Sequence, residues 1–229
     1  MVEIFLGTML NGQPNYDAIS KCSKNVHPLT ISAIIETESG FNPYAIGVNS
    51  GKRLSKQPSS LDEAISVATS LLEQGHNIDL GLGQINSVNL DWLDLSLNDV
   101  FDPCKNISAI DYVLSYNYER VYDETLNYDL NLKKALSMYN TGNSNKGFSN
   151  GYVAKVDAKA INQLKNIPLG ADTEVTVTVV TEEPKIISKP LEVDAVDSFK
   201  SYGKKSINKH GDKDNTRERS EHFDDIQQD

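Results

Sequence analysis

The chain has 229 residues, of which 38% are hydrophobic, and carries a formal net charge of −10. No segment concentrates enough Lys and Arg to neutralise a row of phosphates, which argues against nucleic acid as a partner. No apolar run is long enough for a membrane span.

Met1 to Leu10 (MVEIFLGTML) is apolar, but it lacks a basic leader, contains Glu3 and stops at Asn11-Gly12. That composition makes a poor secretory signal and reads better as the first helical turn of a domain. Pro28 suits the first position of a helix that Gly40 would end. Ser60-Leu-Asp-Glu63 has the pattern of a capping box, opening a helix along Leu61, Ala64, Ile65, Ala68, Leu71 and Leu72 that ends near Gly75. Asn77 to Asn86 (NIDLGLGQIN) is rich in Gly, Ile and Leu and reads as a buried turn or short strand. Asp102-Pro103 starts a helix with Ile107, Ile110 and Leu114 on one face. Leu132, Ala135, Leu136 and Tyr139 form a further stripe closed by Gly142, and Tyr152, Val153, Val156, Ala160, Ile161 and Leu164 supply the last.

The chain changes character near Lys165. Fourteen of the 17 aromatic residues lie before that point, and the final stretch is charged, polar and nearly free of β-branched residues. Such a segment cannot bury enough surface to offset its ordering entropy, so residues 166–229 read as an acidic, disordered tail, with Glu174 to Thr181 an extended linker. Residues 1–165 read as one mainly α domain of five to seven helices with at most a small β element. The only cysteines, Cys22 and Cys104, fit either two buried free thiols or one bridge closing a long loop.

In the segment Pro28 to Asn42 (PLTISAIIETESGFN), Ile31, Ile34 and Ile35 make an inward face. Glu38 lies seven, four and three residues further on, so it shares that face, whereas Glu36 points sideways toward solvent. A carboxyl group on an apolar face in a last helical turn is disfavoured as an anion by desolvation and by the negative end of the helix dipole. That is the state required of a general acid near neutral pH. Periodicity alone leaves a solvated rim position open as well.

Four blocks in order then become recognisable: Glu38-Ser39-Gly-Phe-Asn-Pro43, Gly81-Leu-Gly-Gln84-Ile-Asn86, Ala135-Leu-Ser-Met-Tyr139-Asn140-Thr-Gly142 and Gly151-Tyr152-Val153. Together they resemble the soluble lytic transglycosylase domain, and Ala45 to Asn49 with Phe101 to Asn106 add a likeness to its VirB1-like subfamily of type IV secretion systems. The resemblance spans about Cys22 to Leu164 and implies a lysozyme-like fold. It implies Glu38 as the catalytic acid/base, Ser39 as the hydroxyl that helps orient the sugar, Gln84 and Asn86 on the cleft loop, Tyr139 and Asn140 beside the reacting subsites, and Tyr152 near the acid. The ring of Tyr139 fits the core, with its hydroxyl turned toward the acid; Gln84 also fits a purely backbone-satisfying role in a tight turn. Gly83 stands where many relatives carry Met, which would loosen the packing of a subsite, and Ser137-Met138 also departs from the commoner form.

The resemblance further implies cleavage of peptidoglycan glycan strands with no cofactor, in the periplasm, for a secretion apparatus whose subunits are possible partners. It favours the Cys22–Cys104 bridge. His27, His76, His210 and His222 are scattered without ligand spacing, so no metal is expected. Most glycosidases use two carboxyl groups; here Asp79 is the nearest second one, and the resemblance gives it no role. Two rivals stand beside this reading: a goose-type muramidase with Asp79 positioning a water, and a non-catalytic wall-binding or assembly module.

Overall fold

The computed structural model describes residues 9–10, 13–49 and 53–166. The acidic tail and the Glu174–Thr181 linker lie outside these residues, as does most of the N-terminal apolar stretch. The part of that stretch described is not helical: Met9–Leu10 forms strand β1, paired antiparallel with β2 at Gln13–Pro14. A short helix α1 follows at Tyr16–Cys22, capped by the Asn15 side chain.

Helix α2, Pro28–Glu38, begins with Pro at its first turn and with His27 Nδ1 accepting from Leu29 N. Its residues Ile31 to Ile35 are buried at five consecutive positions, so α2 is enclosed all round rather than along one stripe. Helix α3, Leu61–Glu73, starts at Ser60, whose hydroxyl accepts from Glu63 N at 3.2 Å. The Glu63 carboxylate reaches past the cap to Ser59 N and Oγ, so the expected reciprocal box is not closed there. A closed box forms instead at Ser96 and Asp99, opening α4, Leu97–Phe101.

A three-stranded antiparallel sheet joins β3 (Ile46–Val48), from between α2 and α3, to β4 (Ile78–Leu80) and β5 (Ile85–Asn86), from between α3 and α4, in that order. The Gln57 side chain lines the edge of β3, accepting from Ile46 N at 2.8 Å and donating to Ile46 O at 3.0 Å, which satisfies groups that an edge strand would otherwise expose. One sheet face buries Ile78, Leu80, Ile46 and Ile85.

The long helix α5, Pro103–Val121, puts Ile107, Ile110 and Leu114 in the core. Helix α6, Tyr128–Thr141, packs against it and ends at Gly142, whose φ of 65° suits glycine. A single turn, α7 (Lys146–Ser149), precedes α8, Tyr152–Lys165, which packs on α2. The expected α8 stripe holds for Tyr152, Val153 and Val156 and, partly buried against the core, for Ala160, but not for Ile161 and Leu164. Ile161 and Leu164 are 51% and 54% exposed, while Gln163 is 5% exposed, because its amide is bonded on both sides: it accepts from Tyr16 and donates to Glu36. With α4 and α7 the described residues hold eight α-helices, more than the five to seven helices expected, since such short helices leave no periodic signal. No helix among the described residues is long and apolar enough to cross a membrane.

The approach to α2 is fastened to one side of α5. Cys22 is bridged to Cys104, with Cα atoms 5.2 Å apart. Ser108 Oγ donates to Cys22 O, and the Asp111 carboxylate accepts from Asn25 N, Asn25 Nδ2 and Val26 N. Positions 104, 108 and 111 are spaced by four and three, so they share a face of α5. This row fixes where α2 enters the core, and therefore where its C-terminal turn emerges.

Candidate active site

That C-terminal turn carries Glu38. Ser39 closes the helix, with its Oγ donating to Ile35 O, and Gly40 and Phe41 follow with φ of 59° and 66°. The left-handed pair turns the chain away immediately after the acid; Phe41, an unusual residue there, is held by packing on the core. Burial pushes the Glu38 carboxyl up to about 7; the Tyr152 hydroxyl bond opposes the shift, and the charge of Asp79 adds to it.

Tyr152, the first residue of α8, donates from its hydroxyl to Glu38 Oε1 at 2.6 Å. Its backbone N–H donates to Asn150 Oδ1 at 2.9 Å, and Asn150 Nδ2 donates to Asn140 Oδ1 at 2.9 Å. Asn150 thus ties the end of α6 to the start of α8 beside the acid; it sits in a loop with no periodic signal, and reading the sequence did not single it out. A second clasp, beside the Tyr152–Glu38 bond, holds α8 to α2. Lys159 Nζ and Gln163 Nε2 both donate to the Glu36 carboxylate, at 2.8 and 2.6 Å. Glu36 is therefore partnered on α8, against the expectation that it points to solvent. Because α8 packs beside the last turn of α2, the residue two before the acid faces it too.

The hydroxyl of Tyr139 does not reach Glu38; it donates to Gly83 O at 2.7 Å. Tyr139 is partly buried, and its hydroxyl is held well above the ordinary tyrosine range by burial first and then by the charges of Glu38 and Asp79, so it stays a neutral donor. Gly83 sits tightly here. A Cβ at that position would lie 2.3 Å from Ile110 Cγ1 and 2.9 Å from the Tyr139 hydroxyl. The exchange of Met for Gly therefore does not loosen the site, because Ile110 fills the space. Asn106, buried on α5, holds the same turn: its Oδ1 accepts from Gly83 N, and its Nδ2 donates to Leu80 O and Val100 O.

Gln84, at φ 50°, turns its amide inward, with Nε2 donating to Ala45 O and Gly81 O at 3.1 and 3.0 Å. Its side chain thus satisfies backbone carbonyls and stitches the turn to the loop before β3. Asn86 Nδ2 donates to Asp79 Oδ1 and Asn77 Oδ1, both at 2.7 Å, while its Oδ1 accepts from Asn77 Nδ2 and Val88 N. Glu38, Tyr152, Tyr139 and Asp79 are thereby brought together electrostatically, Ser39 adjoins the acid in sequence, and Asn140 stands exposed at the end of α6.

Replacing Tyr152 by Phe removes a bond that favours the Glu38 anion, so the Glu38 pKa should rise above its present value near 7. The alkaline limb of any activity carried by protonated Glu38 should move to higher pH, with the plateau rate falling by about tenfold from lost orientation. A pH–rate profile whose limb moves downward would contradict this assignment.

A half-buried acid at the end of an enclosed helix, facing a small antiparallel sheet and two tyrosines from later helices, defines a lysozyme-like domain. The chain belongs to the transglycosylase SLT domain family, whose model matches residues 16–162. It is 43% identical over 146 residues to the "Type IV secretion system protein virB1" of Brucella abortus biovar 1, which covers 61% of each chain. To "Protein virB1" of Agrobacterium fabrum it is 38% identical over 144 residues, 61% of this chain and 56% of the relative. To that of Rhizobium radiobacter it is 36% identical over 158 residues, 68% of this chain and 64% of the relative. The chain thus matches less than two thirds of the length of each of these curated relatives. No solved structure matches it.

Proposed function

We propose that this domain is a peptidoglycan lytic transglycosylase acting in the periplasm, opening the cell wall locally for a type IV secretion apparatus. The observation that carries the chemistry is Glu38: a carboxyl group shifted to about 7 and oriented by a 2.6 Å bond from Tyr152. It is half protonated near neutral pH, where a general acid for a glycosidic oxygen is most effective. The secretion context is supported by the likeness to the VirB1 proteins, one of which is named a type IV secretion system protein.

In this reading Glu38 gives its proton to the oxygen between N-acetylmuramic acid and N-acetylglucosamine as the C1–O bond breaks. The substrate's acetamido group and its surroundings stabilise the positive charge at C1. The Glu38 anion then takes the proton of the muramyl C6 hydroxyl, whose oxygen closes onto C1 as a 1,6-anhydro ring, so the acid is regenerated. The attacking hydroxyl belongs to the same sugar, and the step gains from proximity. Tyr152 holds the carboxyl in place. Gln84 and Tyr139 act by fixing the Gly81–Gln84 turn that walls the site, and Ser39 and Asn140 meet the sugar.

Digestion of purified sacculi followed by mass analysis of the fragments tests this. The expected products end in 1,6-anhydromuramic acid. Fragments with only reducing ends would make the protein a hydrolase, and intact sacculi would leave only a binding or assembly role.

A further inference from the structure

A chain of side-chain bonds leads from the acid to the protein surface. Tyr152 donates from its hydroxyl to Glu38 Oε1 and from its backbone N–H to Asn150 Oδ1. Asn150 Nδ2 in turn donates to Asn140 Oδ1 at 2.9 Å. Each member belongs to a different element: Glu38 ends α2, Tyr152 opens α8, Asn150 closes α7 and Asn140 lies in the last turn of α6. Local backbone holds the middle member. Asn150 N donates to Lys146 O at 3.0 Å, and its side-chain oxygen accepts from the residue two further on, as in an Asx-turn.

The direction of this chain is fixed at one end. A backbone N–H can only donate, so the Asn150 atom facing Tyr152 must be its oxygen. The Asn150 NH2 then faces Asn140 and can only donate, so Asn140 must turn its own oxygen inward and its NH2 outward. An exposed asparagine without such a tie would present either end of its amide. Asn140 is exposed, and its Nδ2 makes no hydrogen bond among the described residues. It directly follows Tyr139, whose hydroxyl holds the Gly83 carbonyl of the turn that walls the site.

Resting on the reading of the protein as a glycan-cleaving enzyme, we infer that Asn150 is a positioning residue that holds the Asn140 amide with its NH2 outward, so that the sugar beside it is selected for an acceptor oxygen, the carbonyl of an N-acetyl group. Both sugars of the proposed substrate carry that carbonyl. It accepts hydrogen bonds and cannot donate, whereas a hydroxyl rotates to suit either end of an amide. The preference for an N-acetylated sugar at this position thus originates in Asn150, without Asn150 having to touch the sugar. The Tyr152 backbone dictates its sense.

The test uses N-acetylchitohexaose, which carries acetamido groups and no lactyl carboxylate, as ligand for the full chain at pH 7. All proteins carry Glu38→Gln, which keeps the ligand uncleaved and removes any action of a new charge on the acid. Asn140→Ala, Asn150→Asp and the two combined are compared with the Glu38→Gln parent, Kd by calorimetry and the Asn140 side-chain amide protons by NMR. Asn150→Asp keeps an oxygen for Tyr152 N but turns a second oxygen to Asn140, which reverses that amide and points its carbonyl outward. Asn140→Ala is expected to weaken binding by about tenfold, and Asn150→Asp by at least as much, because two carbonyls then oppose each other. Asn150→Asp added to Asn140→Ala should weaken it no further, since the effect runs through Asn140. In Asn150→Asp one Asn140 amide proton should move downfield and exchange more slowly as it donates to the carboxylate. Unchanged binding or unmoved amide protons in Asn150→Asp would overturn the inference, as would a penalty that persists when Asn140 is already alanine. A parent that does not bind the hexamer would overturn the glycan reading as well, and so marks a different failure.

Discussion

Glu38→Gln is expected to slow the clearing of purified sacculi by about 10²- to 10⁴-fold, the usual contribution of a positioned general acid. The same variant should resist unfolding better than the unmodified chain at pH 8. Glutamine keeps the shape of the carboxyl and an oxygen for the Tyr152 hydroxyl, but it has no proton to give and never becomes an anion. The sign follows from linkage. Folding raises the Glu38 pKa from 4.5 to about 7. Its contribution to stability is therefore fully present below pH 4.5 and is lost as the pH rises through 7. At 1.36 kcal/mol per pH unit, that loss is about 3 kcal/mol by pH 8, and Gln at this position does not suffer it. Urea unfolding at pH 5 and pH 8 should show the stability gap between variant and parent widening by about 2.5 kcal/mol, since a little of the loss has already occurred at pH 5. A variant that clears sacculi at the parent rate would remove Glu38 from the chemistry, whatever its stability.

The two consequences share one cause. An acid that works near neutral pH must be held where its anion is poorly solvated, and that placement costs stability in the ionised state. α2 achieves this by being buried on all sides for a turn and a half before Glu38. The sheet and α8 then leave only a partly exposed carboxyl, joined to one hydroxyl.

Much of this was legible in the sequence because it follows from local rules. Pro28, Ser60, Asp102-Pro103 and Gly142 mark helix ends through backbone chemistry, and the structure uses each of them there. The placement of Glu38 on the face of Ile31, Ile34 and Ile35 is a matter of helical pitch. Side-chain partners were not legible in the same way. Tyr139 and Tyr152 both sit on apolar stripes, and only the packing of α8 on α2 decides that Tyr152 meets the acid while Tyr139 meets Gly83. Glu36 looks solvent-facing when α2 is drawn alone, yet α8 supplies Lys159 and Gln163 to it. Asn150 lies in a loop, where no periodicity exists to read. Gln84 and Asn86 belong to a recognisable block, but their hydrogen bonds run to Ala45, Gly81, Asn77 and Asp79, contacts that exist only once three strands have come together.

Cys22→Ser paired with Cys104→Ser is expected to lower stability by about 4 kcal/mol, since the bridge spans 82 residues of sequence and closing so long a loop removes much of the unfolded chain's freedom. For a domain of this size the melting temperature should fall by roughly 10 °C. Activity measured well below the new midpoint should nonetheless survive. Ser108 still donates to Cys22 O, and Asp111 still accepts three N–H groups from Asn25 and Val26, so the entry to α2 keeps its place on α5. Asp111→Asn in the same background removes the remaining charge-assisted anchor, and it should lower the rate as well as the stability because the end of α2, with Glu38 on it, is then free to shift. Reducing agent should reproduce the double-serine result on the unmodified chain. A melting temperature that is the same with and without reductant would show that the bridge contributes nothing to the folded state, and the fastening of α2 would then rest on the hydrogen bonds to Asp111 and Ser108 alone.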